Sequence, residues 1–385
     1  MVRSAKIVSI VNQFIPQYRV PVWDGLRAAL AKHGVRMRLL HGRPHRSFAS
    51  RDDTVKLAWS EEVRMREFHI GGKDLVYLEL GDTMRTSDLV ITNQEIRLLH
   101  NFRLLGQQMA GLGRLALMGH GHDRSKIGHT SVSEHVKIWM SGRVHWWFAY
   151  NDYTARQVEG FGYPASRITT FMNSTDTRSL RAFKNETTSA DLEALRTRIG
   201  LGPGPHAIYV GAVDSTKQLG YLIQGARRVR QVLGGFELMI VGAGSDRDKL
   251  RAETSTDRWL HWIPPQYGES KVRHMLLAQM CLLPAGVGLG IVDTFALGVP
   301  LVTTDRFPHG VEIDYLKHGV NGWMCCGSPD AEKFGDELIY LLQNPPVLES
   351  LRRGALEAGE RFSVEAMVEN FTAGILKALD APPYT

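Results

Sequence analysis

Short apolar runs alternate along the chain with stretches whose apolar positions recur at helical spacing. Residues 6–11 (KIVSIV) are broken only by Ser9, the pattern of a parallel strand covered on both faces. Residues 21–33 place Trp23, Leu26, Ala29 and Leu30 on one side and predict an amphipathic helix. Further strands are expected at 35–40, 88–92 and 115–118, so the first half reads as a doubly wound α/β domain. Residues 136–150, with Trp139, Trp146, Trp147, Phe148 and Tyr150, read as a helix running into a strand at 145–150. That helix is either core or a membrane-surface helix. A helix at 151–161 and a strand at 167–172 then deliver the turn NSTDT at 173–177.

A second alternation begins at 206. Strands are expected at 206–210, 236–241, 259–262, 280–283 and 301–304, with helices at 219–233 and 270–279. Between the halves, residues 181–205 are polar, include a helix near 190–199 and end in Gly-Pro-Gly-Pro, as interdomain links do. The expected division is 1–180, a link at 181–205, 206–365, and a last helix at 366–385 that crosses back to the first domain.

At 385 residues the chain is too long for one ordinary core, which agrees with two domains. No apolar run approaches membrane-spanning length, and the one at 7–11 is too short for a signal peptide. Three cysteines, two of them adjacent (Cys325 and Cys326), build neither a disulfide framework nor a zinc site, so a reducing cytoplasm is expected. Residues 1–180 carry 25 Lys and Arg against 16 Asp and Glu, and the rest 21 against 24. The basic excess of the first half fits an anionic membrane face or a polyprenyl-phosphate acceptor, or is a plain basic surface. Basic residues are not interleaved with aromatics as in nucleic-acid binders, so no nucleic-acid partner is expected.

Chemistry collects where strands are expected to end. The loop after the first strand holds Gln13, Gln17, Tyr18 and Arg19. The strand at 115–118 runs into His120 between two glycines, a poor place for a core histidine, and His122 competes with it for the same role. Residues 284–305 (PAGVGLGIVDTFALGVPLVTTD) read as loop, helix, turn, strand. Gly286, Gly288 and Gly290 let the backbone approach a ligand before the helix begins near Ile291, and free amides there favour an anion. Gly242-Ala243-Gly244 lacks the third glycine of a dinucleotide fingerprint, and Asp246-Arg247-Asp248 reads as a charged helix start rather than a metal motif.

Taken in order, VGAVDSTK at 210–217, the VGAG turn, IPP at 263–265, the glycine-rich stretch, HGVNG at 318–322 and FSVEA at 362–366 resemble the retaining glycosyltransferases of family 4. The resemblance covers nearly all of the chain. It implies the GT-B architecture, two facing Rossmann-like domains with the active site in the cleft. It also implies transfer of a sugar, with retention, from a nucleotide-diphosphate donor to a hydroxyl of a glycan or lipid-linked acceptor, without metal or cofactor. Bacterial surface polysaccharide synthesis is the setting implied, at the inner face of the membrane.

By that resemblance Lys217 and the amides of Gly288, Leu289 and Gly290 hold the diphosphate, Asp293 the ribose, and Ile263 and Pro264 the base. Gly286, Val287 and Asn173 meet the donor sugar, His120 serves catalysis, and Gln13, Gln17, Tyr18 and Arg19 form the acceptor side. Two positions depart from the family: Ala212 replaces an arginine that assists the lysine, and Ala285 replaces a glutamate that meets the donor sugar. The competing implications are a non-catalytic sugar- or partner-binding protein, or an epimerase or phosphorylase of the same architecture.

Overall fold

A computed structural model of the chain describes residues 5–44, 54–121, 132–327 and 330–384. The chain divides into two compact units, residues 1–173 with 364–385, and residues 174–363.

The first unit runs β1 (Lys6–Asn12), α1 (Val20–Lys32), β2 (Val35–His41), β3 (Glu61–Glu62), β4 (Met65–Ile70), β5 (Lys73–Leu78), β6 (Leu89–Asn93), α2 (His100–Met109), β7 (Leu115–Gly119), α3 (Val132–Ser141), β8 (Trp146–Ala149), α4 (Asp152–Gly160) and β9 (Ile168–Thr170). Its sheet has the order β3-β2-β1-β6-β7-β8-β9, with Val8 beside Met37 on one side and Leu89 on the other. Strand side chains alternate between faces, and both faces are covered. Val8, Ile10, Leu89, Ile91, Ala116 and Met118 pack with α1 and the last helix of the chain. Val11, Val90, Leu115 and Leu117 pack with Leu104, Leu105 and Met140 from the helices of the other face. Two-sided burial is why these strands read as continuous apolar runs.

Two features were not foreseen. β4 and β5 form an antiparallel hairpin turned at Gly71-Gly72, both at positive φ. Its outer strand leaves Phe68 and Ile70 exposed, so it lacks the alternation of a half-buried strand. The tryptophans also divide: Trp146 and Trp147 are core, whereas Trp139 on α3 is 44% exposed.

The second unit runs α5 (Thr177–Glu186), α6 (Ser189–Ile199), β10 (His206–Val210), α7 (Leu219–Val232), β11 (Glu237–Val241), α8 (Arg247–Glu253), β12 (Leu260–Ile263), α9 (Gly268–Leu276), β13 (Met280–Leu282), α10 (Gly290–Leu297), β14 (Leu301–Thr304), β15 (Gly322–Cys325), α11 (Ala331–Gln343) and α12 (Pro345–Arg361). The stretch read as a link at 181–205 is largely helical and belongs to this unit: α5 packs on α9 and α10, and α6 on α9. Asp176 caps α5 by accepting from the Ser179 amide, and Thr188 with Asp191 forms a capping box on α6. Helices that expose one polar face compose like a linker, so composition alone does not separate the two. After α12 the chain forms α13 (Val364–Asp380), which lies in the first unit.

The second sheet has the order β12-β11-β10-β13-β14-β15, all parallel. In both sheets the winding reverses at the first strand of the unit, between β1 and β6 and between β10 and β13. At such a reversal the two flanking loops diverge to opposite faces and leave a crevice at the carboxyl ends of the strands. Gly242 and Gly244 serve packing beside that crevice: a Cβ on them would lie 1.9 Å from the Gly211 carbonyl oxygen and 2.2 Å from that of Val213.

Candidate functional site

In the second unit the loops after β10 and β13 meet at the reversal. Asp214 accepts from the Thr216 amide and starts a single helical turn, Ser215–Lys217, which ends on Gln218 at φ 55°. This turn sends Lys217 across to the glycine-rich loop, where Nζ donates to the Gly286 carbonyl at 3.0 Å. Gly286 has φ 61°, and a Cβ there would lie 2.5 Å from Lys217 Nζ, so both the backbone and the lysine require glycine.

The amides of the loop sort into two groups. Gly286 donates to the Pro308 carbonyl at 2.9 Å and Val287 to His309 Nδ1 at 3.2 Å. The amides of these two residues are therefore engaged in holding the loop. The amides of Gly288 and Leu289 have no partner among the described residues, and they stand at the N-terminus of α10. Two free amides, the positive end of a helix and the Lys217 cation make a site for an anion.

Asp293 lies in the first turn of α10, half-buried. Its Oδ2 pairs with Lys271 Nζ at 3.0 Å and its Oδ1 accepts from Thr175 Oγ1 at 3.0 Å. Lys271 and Thr175 were missed in the sequence, because nothing in their local pattern marks them. A carboxylate has about four lone-pair positions, so two engagements leave room for hydroxyl donors. Ile263 ends β12 buried, its carbonyl taken by the Gly242 amide, and Pro264 is exposed. Tyr267, 80% exposed, follows three residues later and offers an aromatic face near the expected base position. Ala285 is buried and Ala212 exposed, so neither supplies a polar side chain. The described residues contain no cluster of three or more His, Cys, Asp or Glu able to hold a metal.

In the first unit the reversal between β1 and β6 opens a cavity of about 400 Å³. Gln13, Tyr18, Arg19 and His120 line it, and exposed Gln17 does not. Asn12 and Asn93 face one another across the strand ends, Asn93 Nδ2 donating to Asn12 Oδ1 at 3.1 Å. Arg97 donates to Gln13 Oε1 at 2.9 Å and pairs with Glu95. Arg19 donates to Asn173 Oδ1 at 2.6 Å, so Asn173, buried, is held by the acceptor-side arginine. Asn12 Nδ2, Gln13 Nε2 and Trp23 Nε1 are buried without a partner among the described residues. Each such donor costs about 1–3 kcal/mol, which a fold tolerates at functional sites more than elsewhere. Asn12, Asn93, Glu95 and Arg97 were missed, although Asn12 and Asn93 each end a strand.

His120 follows β7, exposed, its ring edge-on to Tyr150 at 4.3 Å and its carbonyl accepting from Thr154 Oγ1 at 3.3 Å. His122 lies outside the described residues. A wider groove of about 530 Å³ follows the amino-terminal end of β2, away from the reversal of that sheet, where Arg38 pairs with Glu61.

Residues 204–344 match the family described as "Glycosyl transferases group 1". The solved structure of Anabaena Alr3699/HepE in complex with UDP superposes with a TM-score of 0.68 at 15% identity, covering 96% of this chain and 99% of that one. The fold is GT-B. The lipopolysaccharide outer core galactosyltransferase WaaB, in its apo form, superposes with a TM-score of 0.63 at 14% identity, over 96% of this chain and 99% of that one. The amylovoran biosynthesis glycosyltransferase AmsK of Erwinia amylovora is 23% identical over 192 residues, 46% of this chain and 46% of that relative, so the match spans about half of its length. The GT-B fold and the family match in the second unit together support a glycosyltransferase.

Proposed function

We propose that the chain transfers a sugar, with retention and without metal, from a nucleotide-diphosphate donor to a hydroxyl of a glycan or lipid-linked acceptor. The reading belongs to family 4 and to surface polysaccharide or glycoconjugate synthesis, the setting named for the AmsK and WaaB proteins. The observation that carries it is the cluster in the second unit: Lys217 on the glycine-rich loop, the free amides of Gly288 and Leu289, and Asp293 one turn into α10. UDP occupies the HepE complex, which makes a uridine diphosphate the first donor to try.

In this reading the bond from the anomeric carbon to the phosphate oxygen breaks while the acceptor oxygen bonds to that carbon from the same face. The acceptor's proton passes to the departing phosphate. Charge grows on the β-phosphate, and groups already aimed at it lower the barrier without rearranging. Lys217 and the two amides supply that field, and Gly290 lets the chain enter the helix beside them. Asp293 accepts from ribose hydroxyls while Lys271 pairs with its Oδ2. His120 then stabilises the developing positive charge at the anomeric carbon through a ring nitrogen or its adjoining carbonyl. The transfer requires that the acceptor held by the first unit reach the donor held by the second.

Calorimetry with UDP and GDP, paired with a screen of nucleotide sugars for slow hydrolysis, tests the reading. Lys217→Ala and Asp293→Ala should each weaken nucleotide binding by about tenfold or more. His120→Ala should lower turnover by about 10²-fold and leave nucleotide affinity nearly unchanged. Excess chelator should leave turnover intact. Unchanged affinity in both unit 2 variants, with native circular dichroism, places the donor elsewhere. Binding without any hydrolysis or transfer leaves a nucleotide-binding protein of this fold, the outcome that Ala212 and Ala285 would then explain.

A further inference from the structure

The cavity of the first unit is lined by hydrogen-bonding groups among which donors are prominent. Three of its side-chain oxygens are already used: Asn12 Oδ1 accepts from Asn93, Gln13 Oε1 from Arg97, and Glu95 Oε2 pairs with Arg97. The Gln13 orientation is settled by its partner, since a guanidinium only donates and must face the amide oxygen. The buried side-chain atoms of this lining without a partner among the described residues are all N–H: Asn12 Nδ2, Gln13 Nε2 and Trp23 Nε1.

Arg19 adds charge to this wall. Its terminal nitrogens donate to the neutral Asn173 Oδ1 at 2.6 Å and reach Met367 Sδ at 3.7 Å, and it forms no ion pair among the described residues. Arg97 in the same cavity is matched by Glu95, so the two cancel and Arg19 leaves a net positive charge. A neutral hydroxyl both donates and accepts, whereas an oxyanion presents only lone pairs and gains most from a cation beside N–H donors. Arginine is also the cation that best matches a planar carboxylate or a phosphate. Tyr18 and Tyr150 supply aromatic faces beside these donors for the apolar face of a sugar ring.

We propose that the acceptor taken by this cavity is an acidic saccharide, whose terminal ring carries a uronate carboxylate or a phosphate monoester recognised by Arg19 and the amide of Gln13. The proposal rests on the acceptor role given to the first unit above.

Ligand-observed NMR and calorimetry on the full chain, with glucose, glucuronate and glucose 6-phosphate as probes, test it at low and high salt. At least one acidic sugar should bind about tenfold or more tighter than glucose, and the two acidic arms tell carboxylate from phosphate. That preference should shrink with salt, vanish in Arg19→Met and Gln13→Glu, and partly return in Arg19→Lys. Circular dichroism of each variant separates a lost site from a lost fold. Equal binding of all three sugars, no binding of any at about 10 mM, or a preference untouched in both variants overturns the proposal. UDP titration of the same wild-type preparation keeps the two readings apart. If UDP binds and donor is hydrolysed while acidic and neutral sugars bind alike, the acceptor class is wrong and glycosyl transfer stands. If acidic sugars bind through Arg19 but no nucleotide binds, the preference stands and the transferase reading fails.

Discussion

At the scale of single residues, Lys217 and Asp293 could be named because the family resemblance carries their roles onto these positions. Lys271 and Thr175, which hold Asp293, could not, because they come from α9 and from the segment before α5 and meet it only through packing. Buried histidines follow the same rule. His100 is 1% exposed, accepts the Leu78 amide at Nδ1, and is pushed down to about 4 by burial. The unfolded chain takes up that proton near pH 6.5, so between about pH 6.5 and 4 it binds more protons than the folded one. His100 thus contributes stability above that window and loses it as the pH falls. Burial also lowers the pKa of His145, His206 and His274, which adds in the same direction. Thermal unfolding followed from pH 7.5 to 5 should show stability falling by at most about 1.4 kcal/mol per pH unit for each histidine. His100→Gln should make that slope shallower, and an identical slope would remove His100 from the account.

At the scale of elements, the glycine-rich loop and α13 show how one segment depends on another. Gly286→Ala puts a methyl group where Lys217 Nζ lies and asks alanine to hold φ 61°. The backbone strain is about 1 kcal/mol, and the lysine must leave the Gly286 carbonyl. Nucleotide affinity should fall by at least as much as in Lys217→Ala, while the melting temperature drops by only a few degrees; calorimetry and circular dichroism check both. α13 is held at its carboxyl end by Arg114, which donates to the Leu379 carbonyl at 2.8 Å, and by His145 Nε2, 2.8 Å from the Ala378 carbonyl. Lys6 adds an ion pair with Asp380. Arg114 and His145 satisfy the last carbonyls of the helix, and the Arg114 and Lys6 cations stand at the negative end of its dipole.

At the scale of the whole molecule, the last helix belongs to a unit whose other residues lie more than 180 positions earlier. Met367, Phe371 and Ile375 are core side chains of the first unit, with Phe371 stacked on Phe171 at 4.9 Å. A chain ending at residue 363 should lose the cooperative unfolding of the first unit and retain a folded second unit. Limited proteolysis with mass spectrometry reads this, and a first unit that resists cleavage without α13 would overturn it. The basic first half carries a second expectation on this scale. Vesicles containing anionic lipid should recover the protein in flotation, neutral vesicles should not, and recovery should fall as salt shortens the screening length. Equal recovery on both vesicles would assign the charge to an ordinary surface.

The sequence by itself determined the alternation of strands and helices, the two-fold repetition of the α/β pattern and the glycine-rich turn at 286–290. These are local: period, turn residues and strand-end position are written into a few consecutive side chains. It placed a helix near 190–199 but not the one at 177–186, nor the packing of both into the second unit, because the exposed faces of packed helices and the residues of a linker are both polar. Nor did it show the β4–β5 hairpin, whose outer strand carries exposed Phe68 and Ile70. Only the tertiary structure decided which strand ends lie side by side. The reversal of winding between β10 and β13 puts Lys217 on Gly286, and the reversal between β1 and β6 puts Gln13 on Arg97. The pairing of non-consecutive strands sets those distances, and strand order is a property of the whole sheet that no window of sequence contains.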